Sequence, residues 1–232
     1  MRGAWLPLLA AVCATGCVVE RAGPPRHDFQ AIDRDNVEQV RVNLKMGAGK
    51  LRIDTGTDKL LAADFTYSSA DWKPEVRYTN SGGRGSLTIS QPDTSGIHTG
   101  PHGYEWDLRL NREVPLDIGV QFGAGEAHLD VGGLTVRNLE VEMGVGQLDL
   151  DLRGTPKQSY DVRIRGGVGE AVVHLPSEVG VEAEAQGGLG SVQASGLRHD
   201  GNRYYNDAWE NSKIRIHLDI QGGVGSIRLL AE

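Results

Sequence analysis

The feature that most constrains the fold of this chain is a Gly-Φ-Gly-x-Φ-x-Φ unit, in which Φ is an apolar residue, that occurs six times. The central four copies begin 21, 23 and 21 residues apart, the last follows after 35 residues, and the first precedes the second by 76. Such a period predicts a repeat architecture, in which each copy is one coil and stacked coils bury a shared core. The copies begin at Gly47, Gly123, Gly144, Gly167, Gly188 and Gly223.

Around these units, apolar and polar residues alternate with a period of two, as in Leu148–Leu152 and Ile214–Leu218. This alternation is typical of strands with one buried face, and no stretch combines a helical period with caps. The predicted fold class is therefore all-β, a single-chain β-solenoid whose strands turn at the Gly-Φ-Gly corners. Glycine suits such a corner because it accepts positive φ and lets stacked backbones approach closely.

The interior of the solenoid is predicted to be aliphatic, because 39% of the residues are hydrophobic but only 6% are aromatic. We expect the middle Φ residue of each unit to face inward, together with the next two Φ residues. Aligned coils would then stack these residues into ladders that form the core. The middle residues are Ala48, Ala124, Val145, Val168, Leu189 and Val224.

Four segments are predicted along the chain: a signal peptide over 1–16, a lipid-anchored tether over 17–36, a region of hairpins over 37–121, and the repeat solenoid, continuous with it, over 122–232. Arg2 followed by the apolar run Trp5–Val12 is typical of an export signal and is too short to span a bilayer.

The residues Ala14-Thr15-Gly16 before Cys17 resemble a bacterial lipobox, in which the cysteine is acylated and becomes the first residue. The alternative is an ordinary signal peptide cut near Gly16. We predict lipidation at Cys17, and hence an exported, membrane-anchored lipoprotein of the bacterial cell envelope on its periplasmic or surface face. Both cysteines lie in the predicted leader, so the domain is expected to have no disulfide.

Several segments resemble the bacterial toast-rack domain, and the similarity covers most of residues 38–232. Its strongest part is the repeated Gly-Φ-Gly in its strand context. The other matching segments are Leu51–Ile53, Leu61–Tyr67, Pro74–Tyr78, Trp106–Leu110, Val114–Ile118, Phe122–Gly125 and Leu134–Leu152.

The resemblance implies an elongated β-solenoid that acts in envelope signalling or scaffolding through protein contacts. Members of the family include soluble domains of LiaF-like envelope stress regulators and proteins proposed to be adhesins. The resemblance implies no catalytic residues. This chain differs from the LiaF-like regulators because it lacks their transmembrane helices, which argues against direct kinase regulation.

The sequence favours neither nucleic acid nor a catalytic centre as the basis of function. A net charge of −7 without a Lys/Arg cluster lacks the basic footprint that nucleic acid requires. A strand rather than a helix follows each Gly-Φ-Gly, so phosphate binding at a helix N-terminus is excluded. We therefore predict a non-enzymatic protein without a cofactor or a metal, and assign His98 and His102 to a solvated loop rather than a metal site.

Outward-facing acidic residues follow three of the repeat units: Asp54, Asp130 and Asp151. If the coils stack in register, Asp130 and Asp151 lie about 5 Å apart on one face. Such a pair would bind a cation or a basic partner, but like charges in close pairing repel each other. The favoured interpretation is that these residues are polar strand ends that keep the face soluble.

Aromatic residues supply the candidate interaction sites. They can act as anchors for protein or glycan, or they can plug the open ends of the solenoid, which is the interpretation we favour. The last repeat runs nearly to the C-terminus, so we also expect the C-terminal edge to pair with a partner or a second copy. The candidates are Tyr204, Tyr205, Trp209, Trp72 and Trp106.

Three function classes remain open from the sequence. The first is an envelope lipoprotein that presents the solenoid for protein interaction or stress signalling. The second is an adhesin or glycan-binding surface protein. The third, least favoured, is a carbohydrate-active β-helix enzyme. A bare strand edge or an apolar face would favour the first class, a coplanar row of exposed Trp and Tyr the second, and clustered carboxylates the third.

Overall fold

A computed structural model of the protein describes residues 24–92 and 104–232. The predicted signal peptide, Cys17, His98 and His102 lie outside these residues. The described chain is almost entirely β-structure, joined in one 13-stranded sheet, with a single 3₁₀ turn at Ala70–Trp72. The all-β prediction is confirmed. The strands are β1 Arg26–Ile32, β2 Gln39–Thr55, β3 Leu61–Tyr67, β4 Glu75–Ser81, β5 Arg84–Ser90, β6 Glu105–Leu110, β7 Leu116–Asp130, β8 Val136–Asp151, β9 Tyr160–Leu175, β10 Gly180–Ser195, β11 Arg198–Asp200, β12 Arg203–Tyr205 and β13 Arg215–Ala231.

Six long strands form the body of the molecule, and each contains one Gly-Φ-Gly unit near its centre. They are β2, β7, β8, β9, β13 and β10 in spatial order, and every neighbouring pair is parallel. The units lie side by side, as Gly125 pairs with Gly146 and Gly146 with Gly169. Each strand is therefore one coil that turns at its glycines, which confirms the β-solenoid.

The core lies between the two halves of these coils, and it is aliphatic as predicted. Val42 and Leu44 before the first corner are buried, and so are Leu51 and Ile53 after it. The same arrangement recurs in the neighbouring strands, for example at Ile118, Val120, Leu148, Leu150, Val162, Ile164, Leu218 and Leu229.

Short antiparallel strands close the N-terminal end of the solenoid. β5 pairs with the first half of β2 and is covered by β4, while β6 pairs with the second half of β2 and is covered by β3 and then β1. The tether predicted over 17–36 is therefore too long, because Arg26–Ile32 pairs along its whole length with β3. Its alternating sequence lets the segment extend the sheet, although Phe29 remains exposed.

The opposite end of the solenoid is built by a crossover of the last strand. β13 enters between β9 and β10 and pairs with both, so the C-terminal strand is covered on each side. The prediction that the C-terminal edge is open is wrong. The outermost long strand is β10, and the β11–β12 hairpin covers only Glu182–Glu184 of it.

No helix within 24–92 and 104–232 has the length and apolar character needed to cross a membrane.

Candidate interaction surfaces

The middle Φ residues form an exposed apolar row along the corner, contrary to the prediction that they face inward. Val145, Val168 and Val224 are 54%, 51% and 48% exposed, and Leu189 is 73% exposed. The sheet register places each member beside the next. At about 4.8 Å per strand, six members span roughly 24 Å. We call this row the corner ridge; in spatial order it contains Ala48, Ala124, Val145, Val168, Val224 and Leu189.

The outward direction follows from a change of phase within each long strand. In β2 the buried residues before the corner are Val40, Val42, Leu44 and Met46, whereas the buried residues after it have odd numbers, beginning with Leu51. A strand of strict period two cannot bury both sets. The corner glycines absorb the extra residue, so Ala48 lies on the convex side. This phase change is readable in the sequence and would have predicted the ridge.

Behind the ridge, the interior of the corner contains little side-chain volume. Met143, Leu148, Ile164 and Ile227 line a cavity of about 50 Å³ there. Pockets for small molecules and cofactors usually enclose several hundred cubic ångströms. The cavity is therefore a packing gap beneath the glycines rather than a ligand site.

The late aromatic residues pack around one another on the first half of β10. The Trp209 ring lies 5.6 Å from the Tyr205 ring and 5.3 Å from the His217 ring, and the Arg215 guanidinium lies 4.7 Å from its centroid. Tyr204 lies 5.0 Å from His199. The Tyr205 and Trp209 planes differ by 48°. These rings form a cluster at the end of the solenoid, not a coplanar row of exposed platforms.

The early aromatic residues pack at the N-terminal end of the solenoid. Trp106 is 1% exposed and packs edge-on against Phe65, so it belongs to the core and presents no surface to a partner. Trp72 is half-buried, its ring lies edge-on to Tyr104, and its carbonyl accepts a hydrogen bond from the Tyr104 hydroxyl. Of the early candidates, only Trp72 has a partly accessible ring.

The predicted stacking of acidic strand ends is confirmed by the register, in which Asp130 pairs with Asp151. A cation from the chain already accompanies the pair: Arg153 Nη2 lies 2.6 Å from Asp151 Oδ2, and Arg153 Nη1 lies 2.7 Å from Glu232 Oε2. Across 24–92 and 104–232, no three Asp, Glu, His or Cys side chains are grouped so as to hold a metal ion.

The two stacked carboxylates have pKa values shifted in opposite directions, and Arg153 accounts for the lowered pKa of Asp151. Burial raises the pKa of Asp130, and the neighbouring Asp151 carboxylate adds to the rise. Burial also opposes ionisation of Asp151, but hydrogen bonds from the Arg153 side chain and backbone outweigh it and lower the pKa of Asp151. Ionised Asp130 therefore costs the folded state free energy, whereas ionised Asp151 stabilises it.

We expect Asp130→Asn to raise the melting temperature slightly at pH 7. A raised pKa in the folded state means that stability falls as pH increases from the unfolded pKa through the folded one, and the amide removes that loss. The gain should vanish at about pH 3, where Asp130 is protonated in both states. Calorimetry at both pH values measures it, with the exposed Asp58→Asn as control. An equal gain at both pH values would contradict the electrostatic cause.

Comparison with known proteins places this architecture in a family. A family model described as "N-terminal domain of toast_rack, DUF2154" matches residues 21–174. This chain belongs to the toast-rack family. A crystal structure described as a "putative cell adhesion protein" from Clostridium sporogenes is similar to this toast-rack chain, with 36% identity and a TM-score of 0.87. The match covers 90% of this chain and 100% of that one.

More distant solved structures are similar to the toast-rack chain over the same extent. One is described as a "putative adhesin" from Bacteroides fragilis, with 10% identity, a TM-score of 0.33, and coverage of 90% of this chain and 99% of that one. At this level of similarity it adds nothing to the assignment. A search of curated protein sequences found no match.

Proposed function

We propose that this toast-rack protein is a non-enzymatic protein-binding module of the bacterial cell envelope, exported and anchored through an acylated Cys17. The observation that carries the proposal is the corner ridge. A soluble protein normally exposes apolar side chains singly, whereas a contiguous row on a rigid scaffold is typical of a binding surface. The ridge lies on hydrogen-bonded strands, so a partner would meet it without ordering a loop.

The relative from Clostridium sporogenes supports an adhesive or scaffolding role rather than catalysis. It is 36% identical over 90% of this chain and is described as a putative cell adhesion protein. Adhesion through protein contact is compatible with the ridge. A glycan-binding role has less support, because Tyr205 and Trp209 pack on neighbouring side chains at 48° to each other instead of forming a flat platform.

The test is site-specific photocrosslinking in cells that naturally express the full chain. A benzoylphenylalanine probe at Val168, in the centre of the ridge, is expected to capture one recurring envelope protein. Val145→Ser and Val224→Ser flank the probe and should each reduce the captured fraction several-fold, because they remove the apolar contact area on both sides.

The matched control carries the same probe at Arg77, an exposed position on β4 at the N-terminal end. It should give no recurring adduct. The proposal fails if Val168 and Arg77 capture the same proteins, or if the flanking serines leave the Val168 adduct unchanged. Cys17→Ser tests the anchor separately: loss of membrane association is expected, with the folded domain intact.

A further inference from the structure

Among the six long strands, only β10 has one side that lacks a strand partner over most of its length within the described residues. β10 pairs with β13 along its length, but on its other side β12 reaches only Glu182–Glu184. Residues 187–195 have no pairing strand on that side, and all of them except the half-buried Val192 are exposed. We call this segment the β10 edge. An open edge of this kind is a template for pairing with another chain.

The β10 edge lacks the charges that usually protect such strands. Residues 185–197 contain no Asp, Glu, Lys, Arg or Pro, although 24% of the chain is charged. The outermost strand beyond β3 at the opposite end is different, because β1 begins Arg26-His27-Asp28. Proteins normally keep charges or proline on an exposed edge to prevent pairing. Their absence favours pairing of the β10 edge with another chain.

The same loss of charge appears when the β10 edge is compared with its neighbours in the sheet. The outward residues Ser191 and Gln193 replace charges found one to three strands away: Glu170 in register with Ser191, and Arg228 and Asp149 in register with Gln193. The same two rows also contain the uncharged Ser226, Val172 and Gln147, so the neighbouring coils are partly charged, whereas residues 185–197 carry no charge at all.

On the inward face of the β10 edge, apolar side chains that continue the core are left partly open to solvent. Val192 and Ala194 are in register with Ile227 and Leu229, which are 5% and 0% exposed. Val192 itself is only half-buried and Ala194 is exposed, because no further coil covers them. Leu189, at the same edge, is 73% exposed. These apolar groups would gain burial from a strand added beside them.

We propose that the β10 edge pairs with the β10 edge of a second copy, antiparallel about a two-fold axis. The net charge of −7 makes copies repel one another except where both surfaces are neutral, and a charge-free strand is complementary to itself. Pairing about a two-fold is isologous, so one contact covers both open edges and the assembly closes as a dimer. A parallel, head-to-tail contact would leave a new edge and propagate into a fibre.

The two-fold arrangement also keeps each side chain in a suitable environment. An antiparallel pair about an axis normal to the sheet leaves inward residues inward in both copies. Val192 and Ala194 of the two copies would then complete one continuous core, while Ser191 and Gln193 stay in water. The straight part of the edge after the corner, residues 191–195, spans about 16 Å, which makes a small interface of modest affinity.

The test uses the full chain and adds charge where the two copies would meet. In wild type, sedimentation velocity from about 1 µM to about 200 µM, the range suited to a small interface, should show a monomer–dimer equilibrium. Hydrogen exchange should slow in residues 187–195 as concentration rises. Ser191→Lys with Gln193→Lys places like charges opposite each other across the two-fold and should abolish dimer and protection together.

The control is Thr79→Lys with Ser81→Lys, two exposed positions on β4 at the N-terminal end. It changes the net charge equally and should dimerise as wild type does. A protein that remains monomeric at about 200 µM with fast exchange at 187–195, or a dimer that survives the β10 lysines, would overturn the proposal. Leu189 belongs to both surfaces, but neither lysine pair alters a residue of the corner ridge, so the photocrosslink at Val168 reports on ridge binding separately.

Discussion

Gly169→Ala is expected to lower the free energy of unfolding by about 3 kcal/mol or more, and to prevent folding if the domain is marginal. Gly169 is the second glycine of its corner and has φ +150°. A Cβ at this position would lie 1.8 Å from the Gly146 carbonyl oxygen on the neighbouring coil. Both the backbone conformation and the stacking distance therefore require glycine.

The clash cannot be relieved locally, because the neighbouring atom is backbone and the contact recurs through the stack. A Cβ on Gly146 would meet Gly125 O at 2.0 Å, and one on Gly225 would meet Gly169 O at 1.7 Å. In each case the position that a side chain would occupy faces a carbonyl of the adjacent strand, and this close approach repeats along the corner. Moving one coil to admit a methyl group would disturb the pairing of its neighbours.

Gly166→Ala is the matched control, since it makes the same substitution three residues earlier in β9. A Cβ there has no atom within 4 Å, and its φ lies outside the left-handed region. The change should be neutral, or stabilising by up to about 1 kcal/mol through reduced freedom of the unfolded chain. Urea unfolding followed by circular dichroism measures both variants. Equal midpoints would show that the corner tolerates a side chain and that the stacking argument is wrong.

Asn111→Ala is expected to cost about 3 kcal/mol of stability, because the buried Asn111 side chain joins two loops at the N-terminal end. Its Nδ2 donates to the carbonyls of Thr57, Asp58 and Lys59 at 3.0–3.3 Å, and its Oδ1 accepts from the amides of Glu113 and Val114. The side chain is 3% exposed. Alanine would remove the partner of the buried Val114 amide and of four partly buried backbone groups at once, and a buried group without a partner is the costly case for a lost hydrogen bond.

Two further variants separate the buried network from a general effect of losing an asparagine. Asn80→Ala removes one exposed side-chain hydrogen bond, to Asp35, and should change stability by less than about 0.5 kcal/mol. Asn111→Asp keeps the acceptor but turns a carboxylate toward three carbonyl oxygens. It should be less destabilising at about pH 4 than at pH 7, because a protonated carboxyl can donate. Thermal unfolding at the two pH values gives the comparison, and an Asn111→Ala cost as small as that of Asn80→Ala would contradict the role assigned to the network.

Most of the body of the fold was predictable because its information is local. Alternation of apolar and polar residues specifies a strand with one buried face, and the recurring Gly-Φ-Gly specifies a bend at which coils can stack. These patterns gave the strands around Leu148–Leu150 and Ile216–Leu218, and the register of Asp130 with Asp151. The candidate surface was less predictable. Periodicity alone did not distinguish the buried Trp106 from the half-buried Trp72, because burial depends on which strand covers which.

By itself, the sequence determined that this chain folds as a stack of glycine-cornered β-coils with an aliphatic interior. Only the tertiary structure decided which apolar residues face water and which strand ends the stack. The middle Φ residues point outward because each strand changes phase at its corner. All coils contain the same Gly-Φ-Gly corner, so no local sequence pattern indicates that β13 lies between β9 and β10 and pairs with both. That choice depends on long-range pairing, and it moves the open edge from the last strand of the chain, β13, to the uncharged second half of β10.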